Sequence, residues 1–167
     1  LMLASIGAAL FATTSAATTR KTAAYITTMP HTIGVGQTIT VYFWVNQIFP
    51  GASMYGGNTM RFEDWTLKIT APDNSTETKT FDKIMDTTSN QAYGYTPDQT
   101  GTYTVTFNFP ETWVNKTSSY DANAATANDI YLASNATSTF TVQEDPISTY
   151  PDSYPLPTEY WSRPIYG

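Results

Sequence analysis

Between Ala23 and Glu144 the apolar residues recur at every second position, not at the 3.6-residue period of a helix. In QTITVYFWVNQ, Ile39, Val41, Phe43 and Val45 share one face, and Thr40, Tyr42 and Trp44 take the other. Successive side chains of a strand point to opposite faces, so this reads as a strand with one buried side. Gly34 and Gly36 precede it as a turn. DWTLKITAP repeats the pattern with Trp65, Leu67 and Ile69 inward, and Pro72-Asp73-Asn74 ends it with turn chemistry. TETKTFD is a polar strand whose charges suit a sheet edge. NQAYGYT predicts a short strand from Ala92 to Thr96. GTYTVTFNF turns Tyr103, Val105, Phe107 and Phe109 inward, and ATSTFTVQE does the same with Phe140 and Val142. A first strand is expected near Ala24 to Met29.

About seven short strands separated by turns predict an all-β fold, an immunoglobulin-like β-sandwich of antiparallel strands. No stretch carries a helical period. SSYDANAATAND is read as a long loop or one turn of helix, and Asn46 to Asp64 as a long glycine-rich connection. The stretch YTPDQTGTYTVTFNF supports the sandwich. Asp98, Gln99, Thr100 and Gly101 form a corner, and Tyr103 begins the strand after it, as a corner tyrosine does. A cysteine would ordinarily follow two residues later, and Val105 stands there instead. The chain has no cysteine, so the sandwich is expected to fold without a disulfide, on core packing alone.

Both ends depart from this pattern. Leu1 to Phe11 is apolar but too short to span a bilayer. Small residues follow, and Ser15-Ala16-Ala17 fits the small-x-small pattern of a signal-peptide cleavage site. The segment reads as the back half of a secretory signal, whose basic n-region would lie upstream of Leu1. From Glu144 to Gly167, five prolines fall in 24 residues. Proline fixes φ and removes a backbone donor, so this stretch reads as an extended linker toward a further domain. The expected parts are therefore residues 1–22 as signal remnant and lead-in, 23–144 as the sandwich and 145–167 as a proline-rich linker.

Composition narrows the function. The net charge is −6 with only eight Lys and Arg, which speaks against nucleic acid, because phosphate neutralisation needs clustered cations. Nearly one residue in five is threonine, so the surface is polar through hydroxyls. Asn74, Asn115 and Asn135 each head an N-x-[ST] sequon, the first two in expected turns or loops and the third just before a strand. They are candidate glycosylation sites of an exported protein.

Candidate chemistry is sparse. His31 is the single histidine and follows Pro30 in a turn, so no catalytic or metal residue is assigned and no cofactor is expected. No nucleophile elbow or phosphate loop is present; IGVGQT leads into a strand. Glu63 and Asp64 should point to opposite faces of their strand. Asp121, Asn123, Asn128 and Asp129 offer oxygens for Ca²⁺ but fit no EF-hand spacing. The aromatics Tyr42, Trp44, Tyr55 and Trp113 lie off the expected core strip and are candidate contacts for a partner or a glycan.

The tail VQEDPISTYPDSYPLPTEYWSRPIYG, with IGVGQTITVYFWVNQIFPGA and YTPDQTGTYTVTFNFP, resembles the front of a group of secreted archaeal proteins. In these, an immunoglobulin-like domain precedes a PQQ-like (quinoprotein-like) β-propeller. The likeness covers most of Ala23 to Gly167 and is most specific at the linker. It implies an exported or cell-surface protein with a propeller downstream, and it carries no catalytic residue onto this segment. The expected function is a non-enzymatic structural or interaction module whose partners are its downstream domain, surface glycans or other cell-surface proteins. The alternatives are a carbohydrate-binding module, an accessory domain of a quinoprotein-like enzyme, and assembly by strand exchange at an open sheet edge.

Overall fold

The computed structural model describes residues 17–54, 60–114 and 128–148. Among these it contains eleven strands and no helix: β1 (Thr19–Arg20), β2 (Ala24–Met29), β3 (Thr32–Gly34), β4 (Ile39–Val45), β5 (Glu63–Thr70), β6 (Thr76–Lys83), β7 (Asn90–Tyr95), β8 (Gly101–Phe109), β9 (Thr112–Trp113), β10 (Ile130–Tyr131) and β11 (Ser134–Gln143). One sheet runs β3-β11-β8-β5-β6 and the other β2-β4-β7. Facing each other across an apolar core, they form an immunoglobulin-like β-sandwich without disulfide. A third, small sheet has the order β1-β10-β9.

The alternating pattern fixes the core. Ile39, Val41, Phe43 and Val45 from one sheet meet Trp65, Leu67, Ile69, Tyr103, Val105, Phe107, Phe109, Phe140 and Val142 from the other, all buried. Phe43 reaches across to Phe107, with ring centroids 4.8 Å apart, and to Trp65 at 6.2 Å. Trp65 also packs on Phe107 at 4.9 Å and meets Phe109 edge-on at 5.9 Å. Polar β6 lies at the edge of its sheet, paired only with β5.

Several features differ from the reading of the sequence. The expected first strand is β2, which pairs antiparallel with β4, but a further short strand, β3, follows it and pairs in parallel with β11 of the other sheet. Pro30 and His31 lie between them, and proline has no N–H for a ladder. The turn expected at Gly34 and Gly36 is present at Val35-Gly36, where Gln37 N donates to the Gly34 carbonyl at 3.1 Å, but the parallel strand just before it means that the sandwich is not wholly antiparallel. β7 begins at Asn90 rather than Ala92. β11 begins at Ser134, so Asn135 lies within the strand, opposite Asn108, and not before it. Glu63 and Asp64 are both exposed, because Asp64 leaves strand geometry with φ of 58° and has no ladder partner. Glu63 pairs with Lys83 at 3.1 Å.

The lead-in and the tail both touch the sandwich. β1 pairs in parallel with β10, so Thr19 and Arg20 belong to a sheet. At the other end, the Gln37 amide holds Ile147 at both backbone atoms: Nε2 donates to the Ile147 carbonyl at 2.8 Å, and Oε1 accepts from its N–H at 2.9 Å. Ile147 packs against the core cluster. Pro146 presses so closely on Gly34 that a Cβ there would lie 2.5 Å from the Pro146 Cα. The first residues after Glu144 are thus docked rather than free. Most of SSYDANAATAND, part of the long glycine-rich connection, and the rest of the proline-rich tail lie outside the described residues.

Candidate functional site

Because β4 alternates, burying Val41, Phe43 and Val45 turns Tyr42 and Trp44 to the outer face of the three-stranded sheet. Register decides what they meet there. Trp44 lies opposite Tyr25 of β2, and Tyr42 opposite Thr27. On the other side Trp44 faces Asn90, and Tyr42 faces Ala92 of β7. The Tyr25 and Trp44 rings stack with centroids 5.2 Å apart and planes 10° from parallel. Tyr42 leans on Trp44 at 5.6 Å and 42°. The result is a strip of three aromatic rings across two strands. Tyr25 is 45% exposed, and Tyr42 and Trp44 are half-buried. Ala92 and Gly94 on β7 are exposed, and neither carries a side chain large enough to cover the Tyr42 side of the strip.

The stack constrains what the strip can bind. A sugar ring packs on a free aromatic face. Here Tyr25 and Trp44 cover one face of each other, and Tyr42 makes a tilted contact with Trp44. What reaches solvent is an aromatic strip of three partly covered rings. Met29, exposed on the same face of β2, extends it. Such a surface suits apolar contact with another protein surface, where aromatic residues are enriched.

The other predicted residues are elsewhere or are otherwise engaged. Trp113 is 60% exposed on β9, and its indole N–H donates to Asn128 Oδ1 at 3.3 Å. It lines a cleft of about 320 Å³ with Phe49, Met60, Arg61, Glu63, Lys83 and Thr112. Tyr55 and Asn115 lie outside the described residues. Asn74 is exposed in the β5–β6 turn with φ of 68°, and Asn135 is exposed on β11. Sequence reasoning missed Tyr25. It sat in an expected strand, but only the β2–β4 register pairs it with Trp44.

At the corner, buried Tyr103 donates its hydroxyl to the Gln99 carbonyl at 3.3 Å. Its ring stacks on Phe140 at 5.0 Å and 13°. Gly101 has φ of 128°, and a Cβ there would lie 2.7 Å from Pro72 Cγ. Asp98 is exposed in the loop just before Gln99. Gln99 also donates to Asp73 Oδ2 at 3.3 Å. Hydrogen bonds from the Ser75 side chain and backbone, and then from Gln99, hold the Asp73 carboxyl below the usual carboxylate range. Burial pushes the Tyr95 phenol up to about 12, with Tyr103 and the carboxylates of Glu77 and Asp98 adding to the shift.

Of the candidate calcium oxygens, Asp121 and Asn123 lie outside the described residues. Asp129 is 2% exposed and already engaged: it accepts from Arg20 Nε and from the Thr18 backbone N–H. His31 is exposed, with Nδ1 3.2 Å from Thr28 Oγ1. Among the described residues, no three of His, Asp or Glu are grouped to hold a metal ion. Also among these residues, no helix is long and apolar enough to cross a membrane.

No family model matches the chain, and no curated protein does. Among solved structures it is similar to the CARDB domain of a Pyrococcus furiosus protein, solved in complex with di-metal ions. That likeness has 11% identity and a TM-score of 0.30, over 73% of this chain and 90% of the other. At that score it carries no argument here, and the fold stands on the strand order and register above.

Proposed function

We propose that this chain is a non-enzymatic interaction module at the front of an exported, cell-surface or extracellular protein. Its outer β2–β4–β7 face docks against a later part of the same polypeptide. The observation that carries the reading is the Tyr25–Trp44–Tyr42 strip, an apolar surface on an otherwise hydroxyl-rich exterior. The choice of occupant rests on where the tail starts. Gln37 holds Ile147 next to the beginning of β4, and Tyr42 is five residues further along. At roughly 3.4 Å per residue, that is about 17 Å from the clamp. The nineteen residues after Ser148 contain four of the ten prolines. An extended proline-rich chain advances about 3.1 Å per residue, so a following domain lies within easy reach of the strip. The resemblance to proteins with a downstream PQQ-like propeller supports the same arrangement. Export is supported by the leader-like first residues, and the exposed sequons at Asn74 and Asn135 are compatible with glycosylation.

The carbohydrate-binding alternative is less well supported, because the Tyr25 and Trp44 rings of the strip each cover one face of the other. The test is a photo-crosslinker at Ala92, exposed beside Tyr42, in the full-length protein on its native surface. Crosslinks to residues beyond 167 of the same polypeptide are the expected result. Crosslinks to polysaccharide alone would transfer the assignment to glycan binding. A silent probe in a correctly exported protein would remove the docking face.

A further inference from the structure

We propose that the bond between Ala17 and Thr18 is a processing site, and that the fold is built to receive the new amino terminus made there. Asp129, 2% exposed, holds the sandwich end of β1. Its Oδ2 accepts from Arg20 Nε, and its Oδ1 accepts from the backbone N–H of Thr18 at 3.2 Å. The Thr18 carbonyl accepts from Ile130 N at 2.9 Å, and the Arg20 carbonyl from Leu132 N at 2.9 Å. The chain is therefore fixed from Thr18 onward, on both sides of that residue's α-carbon. Ala17, Thr18 and Thr19 are exposed. The residues before the fixed point, Ser15-Ala16-Ala17, have the small-x-small pattern that leader peptidases cut after.

These observations come from unrelated sources, a sequence motif and a buried carboxylate, and they converge on one peptide bond. Hydrolysis breaks the Ala17–Thr18 C–N bond. Water gives its hydroxyl to the Ala17 carbonyl carbon and a proton to the Thr18 nitrogen, which takes up another near neutral pH to become an ammonium. The nitrogen that donates one neutral hydrogen bond to Asp129 then carries a positive charge at the same place. Charge-assisted bonds are shorter and roughly twice as strong as neutral ones. Cutting would thus add an ion pair to the carboxylate that already holds Arg20. Cutting one residue later would delete the Thr18 donor. Cutting earlier would leave the nitrogen an uncharged amide.

The inference rests on the export reading, so the experiment separates the two. The full-length gene is expressed in an exporting host, and the N-terminus of the exported protein is sequenced. Acylation of its α-amine by an N-hydroxysuccinimide ester is then timed at pH 7.5, native and in guanidinium. The expected result is a chain beginning at Thr18 whose α-amine reacts at least tenfold more slowly when native. Asp129→Asn should bring the native rate to within about threefold of the unfolded one. If that variant does not fold, the pH profile of the wild-type reaction decides. Its midpoint should lie at least one pH unit above that of the unfolded chain, since a paired ammonium holds its proton longer. An exported chain with another N-terminus, or with an equally reactive native amine, overturns the processing site. A chain retained in the cell with residues 1–17 attached instead overturns export itself.

Discussion

Trp65→Phe sets two effects of similar size against each other. The Trp65 side chain is fully buried, and its indole N–H is the single buried side-chain polar atom without a hydrogen-bond partner among the described residues. Its neighbours Phe43, Phe62, Phe107 and Phe109 offer rings and no acceptor. A stranded donor costs about 1–3 kcal/mol of lost hydration, which the substitution returns. Against that, a smaller ring leaves a void. Truncating Trp to Ala in a core costs about 3–5 kcal/mol, and Phe keeps much of the packing, so the loss is about 1–2 kcal/mol. The two nearly cancel, and Trp65→Phe should change stability by no more than about 1 kcal/mol. Phe107→Ala, which removes a ring touching both Phe43 and Trp65, should cost about 3–5 kcal/mol in the same core. Urea unfolding with a common m-value measures both. A loss above about 3 kcal/mol for Trp65→Phe would refute the reasoning. It would mean that the N–H is satisfied, for instance on a ring face, or that shape in this cluster outweighs desolvation.

Three further outcomes follow from the same geometry. Tyr103→Phe keeps the stack on Phe140 and loses one neutral hydrogen bond of 3.3 Å, so urea unfolding should register a loss of about 1 kcal/mol. Gly34→Ala places a methyl 2.5 Å from the Pro146 Cα, so the tail must lift; amide exchange at Ile147 should then rise while exchange in β8 stays unchanged. Tyr95 has its phenol pushed up to about 12 from an ordinary value near 10. The folded state therefore keeps a proton that the unfolded chain releases. The contribution is fully present below pH 10 and is lost as pH rises toward 12. Denaturation midpoints measured between pH 9 and 11.5 should fall with a shallower slope in Tyr95→Phe, and identical slopes would remove the assignment.

The two-sheet core was legible because alternation was strong wherever one strand face met apolar contacts. In β4, β5 and β8 the expected inward residues are the buried ones. The strands that escaped notice are two or three residues long and carry no period to read. β3 is held by parallel pairing with β11, and β1 by pairing with β10, more than 100 residues away in each case. Polar Asn135 and Ser134 extend β11 because β8 supplies a ladder for them, which intrinsic preference does not reveal. The candidate site was half legible for a related reason. Tyr42 and Trp44 follow from alternation within one strand, whereas Tyr25 joins them through register between two. The Thr18–Asp129 contact spans 111 residues, so nothing local marks it.

The missing cysteine can now be placed. Val105, two residues after the corner tyrosine, is fully buried in the core, with Ser138 and Ile69 as its lateral partners in the sheet. A disulfide at that position would join the sheets. Here the joining is done by Phe43, which meets Phe107 at 4.8 Å, Phe81 at 5.3 Å and Trp65 at 6.2 Å from the opposite side of the core. Aromatic pairs contribute about 0.5–1.5 kcal/mol each beyond the area they bury. Three of them match the roughly 2–4 kcal/mol of a disulfide. The mechanisms differ in one respect. A disulfide constrains the unfolded chain, whereas ring contacts act only when the sheets have met. The sandwich therefore depends on rings that must pack together. The same sheet carries an outward strip, on which Trp44 follows Phe43 directly. Strand alternation thus sends one ring into the joint between the sheets and the next toward the proposed docking face, so a change in β4 register would disable both at once.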